Sequence, residues 1–249
     1  MSTLRTEGIT KKFAKFIALN GISLEVKRGE IRSIIGPNGA GKTTFFNVLT
    51  GKFKPTEGAV YLDGKEITGK SPHEITKYGI ARTFQIINIF RGLTALENIA
   101  LPVLNKHKKN MALFSRPQFR DDIRGECFRV LKEIGLEKEA DTAAGNLSHG
   151  DKKKLDIGIG LARNPRVLLL DEPTAGLNPQ EKQSIINLIK EIAGRENLTI
   201  VLIEHDMDAV FSISDNITVF QQGTVIAEGK PDDVRQNKLV IDAYLGEDF

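Results

Sequence analysis

Apolar positions in this chain form short unbroken runs, separated by longer stretches in which they recur every three to four residues. Val167–Leu170 and Thr199–Ile203 are almost wholly apolar, the pattern of central parallel strands covered on both faces. Ile31–Ile35 and Ile80–Phe84 read as further strands. Ile22–Val26 and Ala59–Leu62 close on Lys27-Arg28-Gly29 and Asp63-Gly64, and are expected in antiparallel hairpins. Ile217–Phe220 and Val225–Ala227 predict another hairpin around Gln221-Gln222-Gly223. Helix starts are marked by capping-box spacing at Ser71-Pro72-His73-Glu74, Thr94-Ala95-Leu96-Glu97 and Asn178-Pro179-Gln180-Glu181. Ile185, Leu188, Ile189 and Ile192 follow the last of these on one helical face. From about Thr94 to Gly145 the signals are helical, with Ile123, Cys127, Val130, Leu131 and Ile134 sharing a face. The pattern predicts an α/β fold interrupted by a mostly helical insert.

Composition narrows the class. The 249 residues are enough to bury a core without metal or disulfide staples, and 27% charged with 40% apolar residues is ordinary for a globular protein. Basic and acidic side chains nearly cancel, 35 against 32, so charge alone gives no argument for a nucleic-acid or membrane-surface binder. Lys152-Lys153-Lys154 and Lys106-His107-Lys108-Lys109 read as solvated helix and loop faces, and the basic loop Lys106–Asn110 is expected to be mobile. A single cysteine, Cys127, excludes an internal disulfide and a cysteine-cluster zinc site and suits a reducing compartment. Its core-facing position makes it a small apolar residue rather than a nucleophile. No apolar run approaches the roughly 18–20 residues that span a bilayer. Met1 to Thr10 lacks the apolar segment of a secretory signal, so the expectation is a cytosolic protein or one attached to something else.

The chemistry concentrates in a few segments. Gly36-Pro37-Asn38-Gly39-Ala40-Gly41-Lys42-Thr43 matches G-x-x-x-x-G-K-[ST] at every fixed position, after a strand and before a helical run that continues through Thr44. Glycines let the backbone turn its N–H groups onto an anion, and the helix N-terminus adds positive potential. Lys42 is placed to reach β- and γ-phosphates and the Thr43 hydroxyl to hold Mg²⁺. The run Val167 to Leu170 ends in Asp171-Glu172, at the strand end where nucleotide-binding sheets hold their ligand. Asp171 would coordinate the Mg²⁺ and Glu172 would act as general base on the attacking water. His205, closing Thr199–Ile203 within Glu204-His205-Asp206, is a candidate γ-phosphate contact.

With Leu147-Ser148-His149-Gly150-Asp151 between these sites, the chain resembles the ATP-binding subunits of ABC transporters. Their signature is usually Leu-Ser-Gly-Gly-Gln; Leu147, Ser148 and Gly150 are kept, and His149 and Asp151 depart from it. Gln85, after Arg82-Thr83-Phe84, resembles the Q-loop glutamine, which contacts Mg²⁺ or the attacking water. Phe13 resembles the aromatic that stacks on adenine, with Phe16 as competing ring. Ala175-Gly176-Leu177-Asn178 takes the D-loop place with asparagine where aspartate is usual. The resemblance runs from about Leu4 to Leu245. It implies a P-loop, RecA-like ABC ATPase core with an antiparallel β subdomain and a helical subdomain insert. The expected division is core and β subdomain at 1–93 and 155–249, with the helical subdomain and signature at 94–154. It also implies ATP and Mg²⁺ as cofactors, and a second ATP-binding subunit, either another copy of this chain or a homologous one, that is faced by Ser148 and Gly150 and whose own signature would face the phosphate held by Lys42.

Several details resemble the branched-chain (hydrophobic) amino-acid uptake group: Ala81-Arg82-Thr83-Phe84-Gln85, Thr174 to Pro179, the long stretch from Glu97 to Leu147, and the ending Ile241-Asp242-Ala243-Tyr244-Leu245-Gly246. The Leu-Ser-His-Gly variant also appears in urea-uptake ATPases, and lipopolysaccharide-export ATPases share much of the pattern. Soluble ABC proteins acting on ribosomes usually carry two cassettes, whereas one phosphate loop is present. Those acting on DNA carry long coiled coils, and no sustained heptads occur. The implied setting is the cytoplasmic face of a membrane, peripherally bound to permease subunits, indirectly served by a solute-binding protein, with no nucleic acid. Ile86, Ile87, Ile89, Phe90 and Leu93, with the helical insert, are the expected permease socket.

Overall fold

The computed structural model describes residues 2–83, 89–106, 121–194 and 198–245. The chain divides into two compact units. One holds Met1–Arg82, Arg166–Glu172 and Ala193–Phe249; the other holds Thr83–Pro165 and Pro173–Ile192. The helical segment read from motif order was 94–154; by compactness the helix that begins at Pro179 also falls with the helical unit.

The first unit contains two sheets. Strands β1 (Ser2–Phe13) and β2 (Phe16–Lys27) form a hairpin that pairs Phe13 with Phe16 across the turn. β4 (Glu57–Leu62) lies on the other side of β1, and β5 (Lys65–Glu66) follows through Asp63-Gly64, both at positive φ as a tight hairpin turn requires. The order is β2-β1-β4-β5. β1 escapes a hydrophobic-pattern reading because threonines occupy inward positions: Thr3, Thr6 and Thr10 are buried beside Leu4 and Ile9. The Thr6 hydroxyl donates to Ile22 O (3.3 Å) and accepts Leu24 N–H (3.0 Å), so a polar side chain is satisfied inside the hairpin. Ile22–Val26 lies in an antiparallel hairpin as expected, but not through the Lys27-Arg28-Gly29 turn. That turn closes no hairpin; it carries the chain from β2 into the other sheet, and the hairpin turn of β2 lies at its opposite end.

The second sheet runs β10-β9-β3-β8-β7-β6. Its members are β3 (Ile31–Ile35), β6 (Ile80–Arg82), β7 (Val167–Asp171), β8 (Thr199–Ile203), β9 (Asn216–Gln221) and β10 (Thr224–Gly229). All neighbours are parallel except β9 and β10, the hairpin at Gln221-Gln222-Gly223. Every residue of β3, β7 and β8 is buried, which is why these runs carry almost no polar alternation. One face packs on α1 (Lys42–Leu49), whose Phe45 and Phe46 join Leu4, Ile9, Leu19 and Val60 of the antiparallel sheet in a common core. Each such fully buried side chain contributes about 1.5–3 kcal/mol. α2 (Pro72–Tyr78) starts at the capping box of Ser71 and Glu74 and adds Ile75 to this core.

The second unit is built from α3 (Ala95–Lys106), α4 (Asp121–Glu133), α5 (His149–Leu161) and α6 (Pro179–Ala193). Ile123, Cys127, Val130, Leu131 and Ile134 are all buried, as are Ile185, Leu188, Ile189 and Ile192. The boxes opening α3 and α6 are closed in both directions: Thr94 with Glu97 (2.8 and 3.1 Å), and Asn178 with Glu181 (3.3 and 3.0 Å). Burial pushes the Cys127 thiol up to about 12, so it carries no thiolate at neutral pH. Back in the first unit, α7 (Met207–Ile213), α8 (Pro231–Arg235) and α9 (Lys238–Leu245) complete the chain, and Val210, Val234 and Val240 pack with Ile35, Ile217 and Val219. Most of the loop 106–110 lies outside the described residues, as does the last residue of the expected strand, Phe84.

Candidate functional site

Parallel register sets the site. Ile34 pairs with Ile203, and Ile203 with Asp171, so Asp171, at the end of β7, and Gly36, Glu172 and Glu204, just past the ends of β3, β7 and β8, all lie at the C-terminal ends of the parallel strands. In the phosphate loop two glycines are demanded by packing. Gly36 (φ 146°) would bring a Cβ to 2.1 Å from Phe220 O, and Gly41 (φ 101°) to 2.7 Å from Ala18 O. Only a residue without Cβ lets the loop lie this close to β2 and β9. Gly41 then opens α1, whose first residues are Lys42, Thr43 and Thr44. Lys42 is buried, and its ammonium donates to Gly36 O (2.5 Å) and Pro37 O (2.9 Å), held across the loop it belongs to. Thr43 is exposed. Pro37, Asn38, Gly39 and Ala40 line a cavity of about 310 Å³ whose other wall is Gln221, Gln222, Asp242 and Ala243.

The acidic strand end is clamped by a residue that motif reading passed over. Arg82, at the end of β6, donates to Asp171 Oδ2 (2.6 Å) and to Asn47 Oδ1 of α1 (2.8 Å), with its guanidinium 5.4 Å from the Phe46 ring centroid. The side chains of Arg82 and Asp171 are only 7% and 5% exposed. The available signal was a buried arginine on a short parallel strand, two residues beyond Ile80, at the edge where ligands bind. Next to Asp171, Glu172 sits at φ 50°, an unfavourable conformation for a residue with a side chain. Its backbone N–H donates to Ile203 O (2.9 Å), and its Oε1 lies 3.1 Å from His205 Nε2. The strain is thereby held by the sheet, and it aims the carboxylate at the imidazole. Among the described residues no group of three His, Cys, Asp or Glu side chains could hold a metal by itself. A hydroxyl (Thr43) and one carboxylate (Asp171) are instead the sparse oxygen set that suits Mg²⁺ bound together with substrate phosphates.

Phe13 ends β1 at 41% exposure, its ring 5.3 Å edge-on to Phe53 and under the Lys11 ammonium at 5.0 Å. Phe16, across the turn, is 65% exposed. In the helical unit, Ser148 is the N-cap of α5 and accepts Asp151 N–H (3.0 Å); its hydroxyl donates to Asp151 Oδ2 (2.8 Å). Asp151, a departure from the usual signature, therefore occupies the signature serine. Gly150 N–H donates to Glu181 Oε1 (3.0 Å), a contact no motif announced. Gln85, Ile86 and Ile87 lie outside the described residues. Phe90 is 61% exposed, while its backbone is pinned by buried Asn98, which accepts Phe90 N–H (2.8 Å) and donates to Phe90 O (3.1 Å).

Known proteins of this architecture bear the same name as the motifs suggest. Residues 19–175 match the family model described as ABC transporter, and residues 224–249 match the one described as branched-chain amino acid ATP-binding cassette transporter. The chain is 43% identical, over 98% of both chains, to the high-affinity branched-chain amino acid transport ATP-binding protein BraF of Pseudomonas aeruginosa. It is 42% identical, again over 98% of both, to LivG of Escherichia coli, described by the same function. Its fold is that of solved cassettes. The ADP conformation of an ATP-binding cassette of an ABC transporter superposes with TM-score 0.87 at 36% identity, covering 99% of this chain and 100% of that one. Phosphate loop, acidic strand end and signature helix stand here in the order and fold of those proteins: the chain belongs to the ABC transporter family, as one of its ATP-hydrolysing cassettes.

Proposed function

We propose that the chain powers the transport of branched-chain and other hydrophobic amino acids into the cell. The observation that carries this reading is 43% identity over 98% of the length of a branched-chain amino acid transport cassette, joined to the C-terminal match at residues 224–249. Within the site, Glu172 takes the proton of the attacking water, and His205 Nε2, 3.1 Å away, orients its carboxylate beside the γ-phosphate. Lys42 exchanges the carbonyls of Gly36 and Pro37 for phosphate oxygens, and the amides of Lys42, Thr43 and Thr44 that open α1 add N–H donors for the same anion. Thr43 and Asp171 would hold Mg²⁺, which would neutralise phosphate charge when bound. Phe13 stacks on the adenine. Ser148 and Gly150 of a second cassette complete the site across a two-fold pair, so ATP joins the subunits and hydrolysis releases them. A solved cassette dimer with ADP and phosphate, 32% identical at TM-score 0.78 and covering 92% of this chain and 98% of that one, supports the pairing.

Among the described residues no helix is long and apolar enough to cross a membrane, so transport requires permease subunits, with a solute-binding protein as their indirect partner. The exposed Phe90 ring, on a backbone locked by Asn98, offers the permease a rigid apolar contact at the membrane's cytoplasmic face. In cells dependent on this chain, uptake of labelled leucine should be lost with Phe90→Asp, while the purified variant keeps its melting temperature and basal ATPase. Urea uptake or lipopolysaccharide export that depends on the chain, with leucine uptake unaffected, would replace the amino-acid reading. Transport surviving Phe90→Asp would move the docking surface elsewhere.

The adenine assignment has its own test. Base stacking is worth about 1–3 kcal/mol, so Phe13→Ala should raise the dissociation constant for ATP about five- to a hundredfold in a fluorescent-nucleotide titration. Unchanged affinity in that variant, with weakened binding in Phe16→Ala, would assign the stacking to the other ring.

A further inference from the structure

The first turn of α5 is already engaged by acidic side chains of its own unit. Gly150 N–H donates to one oxygen of Glu181 (3.0 Å), and the other oxygen accepts Asn178 N–H (3.3 Å). A single carboxylate thus bridges the signature helix and the last residue of the Ala175-Gly176-Leu177-Asn178 loop. The Glu181 side chain lies against the Gly150 backbone, where a Cβ would come to 3.0 Å from both its Cγ and Oε1. Ser148 is similarly taken up, its hydroxyl donating to Asp151. Both groups that receive phosphate in the function proposed above therefore hold a carboxylate by their only hydrogen.

An amide N–H makes one strong hydrogen bond, and a carboxylate and a phosphate brought to the same donor also repel each other. We propose that Glu181 is an internal anionic gate on the signature: phosphate gains the Gly150 N–H only as Glu181 releases it. Glu181 keeps its bond to Asn178 N–H when it does so, and remains the N3 partner of the capping box that opens α6. Arrival of nucleotide at the signature is thereby felt at the loop preceding α6, and by linkage the position of that loop sets the affinity of the signature for phosphate. Glu181 is a positioning residue in this scheme, and the scheme rests on Ser148 and Gly150 being phosphate donors.

The test uses the isotope-labelled full chain titrated with inorganic phosphate against chloride at constant ionic strength, following the amide signals of Gly150 and of Gly39 in the phosphate loop. Glu181→Gln removes the charge and keeps a residue that serves at N3 of a capping box. It should lower the dissociation constant read at Gly150 about fivefold, the size of one charge at a helix end, and leave that at Gly39 unchanged. Glu181→Ala should move Gly150 in the same direction. Equal or weaker binding at Gly150 in both variants, with a saturable response in the parent, overturns the gate and leaves the signature reading standing. A gain confined to Glu181→Ala also overturns it, since cap geometry rather than charge would then be responsible. No response at Gly150 in any of the proteins, while Gly39 responds, removes the signature reading and the gate with it.

Discussion

Glu172→Gln should lower Mg²⁺-dependent ATP turnover at least about a hundredfold, the loss expected when a general base is removed. The substitution keeps the shape of a residue at φ 50° whose backbone N–H is tied to Ile203, so the strand end is not rebuilt. It also keeps an oxygen near His205 Nε2, now 3.1 Å from Oε1, so the imidazole retains a partner. What disappears is the capacity to take a proton from water. ATP affinity, measured by fluorescent-nucleotide titration, should stay within about twofold of the parent, because a general base contributes to the transition state and not to ground-state binding. Turnover that survived the change would remove Glu172 from the proton-accepting role. A parallel collapse of ATP affinity would make it a binding residue instead.

The second large effect concerns stability. Arg82→Met should cost about 3–5 kcal/mol, the penalty for stranding one member of a buried ion pair. Asp171 is 5% exposed, and the guanidinium that neutralises it also binds Asn47, so one side chain links β6, β7 and α1. Arg82→Lys should lose most of the same amount, since an ammonium cannot present the planar fork that serves both acceptors. Urea unfolding reads the loss. The double variant Arg82→Met with Asp171→Asn should be markedly less destabilised than the sum of the two single ones, because the stranded charge is then absent. Additive losses, or a cost for Arg82→Met below about 1 kcal/mol, would show that the pair is not what holds this edge of the sheet together.

The phosphate loop was legible because its demands are local. Gly36, Gly41 and Lys42 are fixed relative to one another within a single turn of chain, and only that spacing lets backbone and helix end converge on an anion. The same holds for the capping boxes at Ser71, Thr94 and Asn178, in which both partners lie three residues apart. The buried runs of β3, β7 and β8 announced a parallel sheet because burial on both faces leaves no polar alternation. β1 was hidden for the opposite reason: threonines stand at its inward positions, and the hydroxyls of Thr6 and Thr10 are satisfied by hydrogen bonds across the hairpin.

Relations between distant residues were settled only by the folded chain. Asp171 meets Arg82, 89 positions earlier, because β6 and β7 pair in parallel with Arg82 beside Leu169, two residues before Asp171. His205 meets Glu172 because β7 and β8 pair in parallel and end in register, Asp171 beside Ile203. Glu181 reaches Gly150, 31 positions earlier, where α6 brings its first turn against that of α5. Hydrophobic pattern and motif spacing report what each segment does to its own neighbours, a few residues either way. Which carboxylate faces which guanidinium, imidazole or amide is decided by strand register and helix packing, and those are properties of the whole chain's burial.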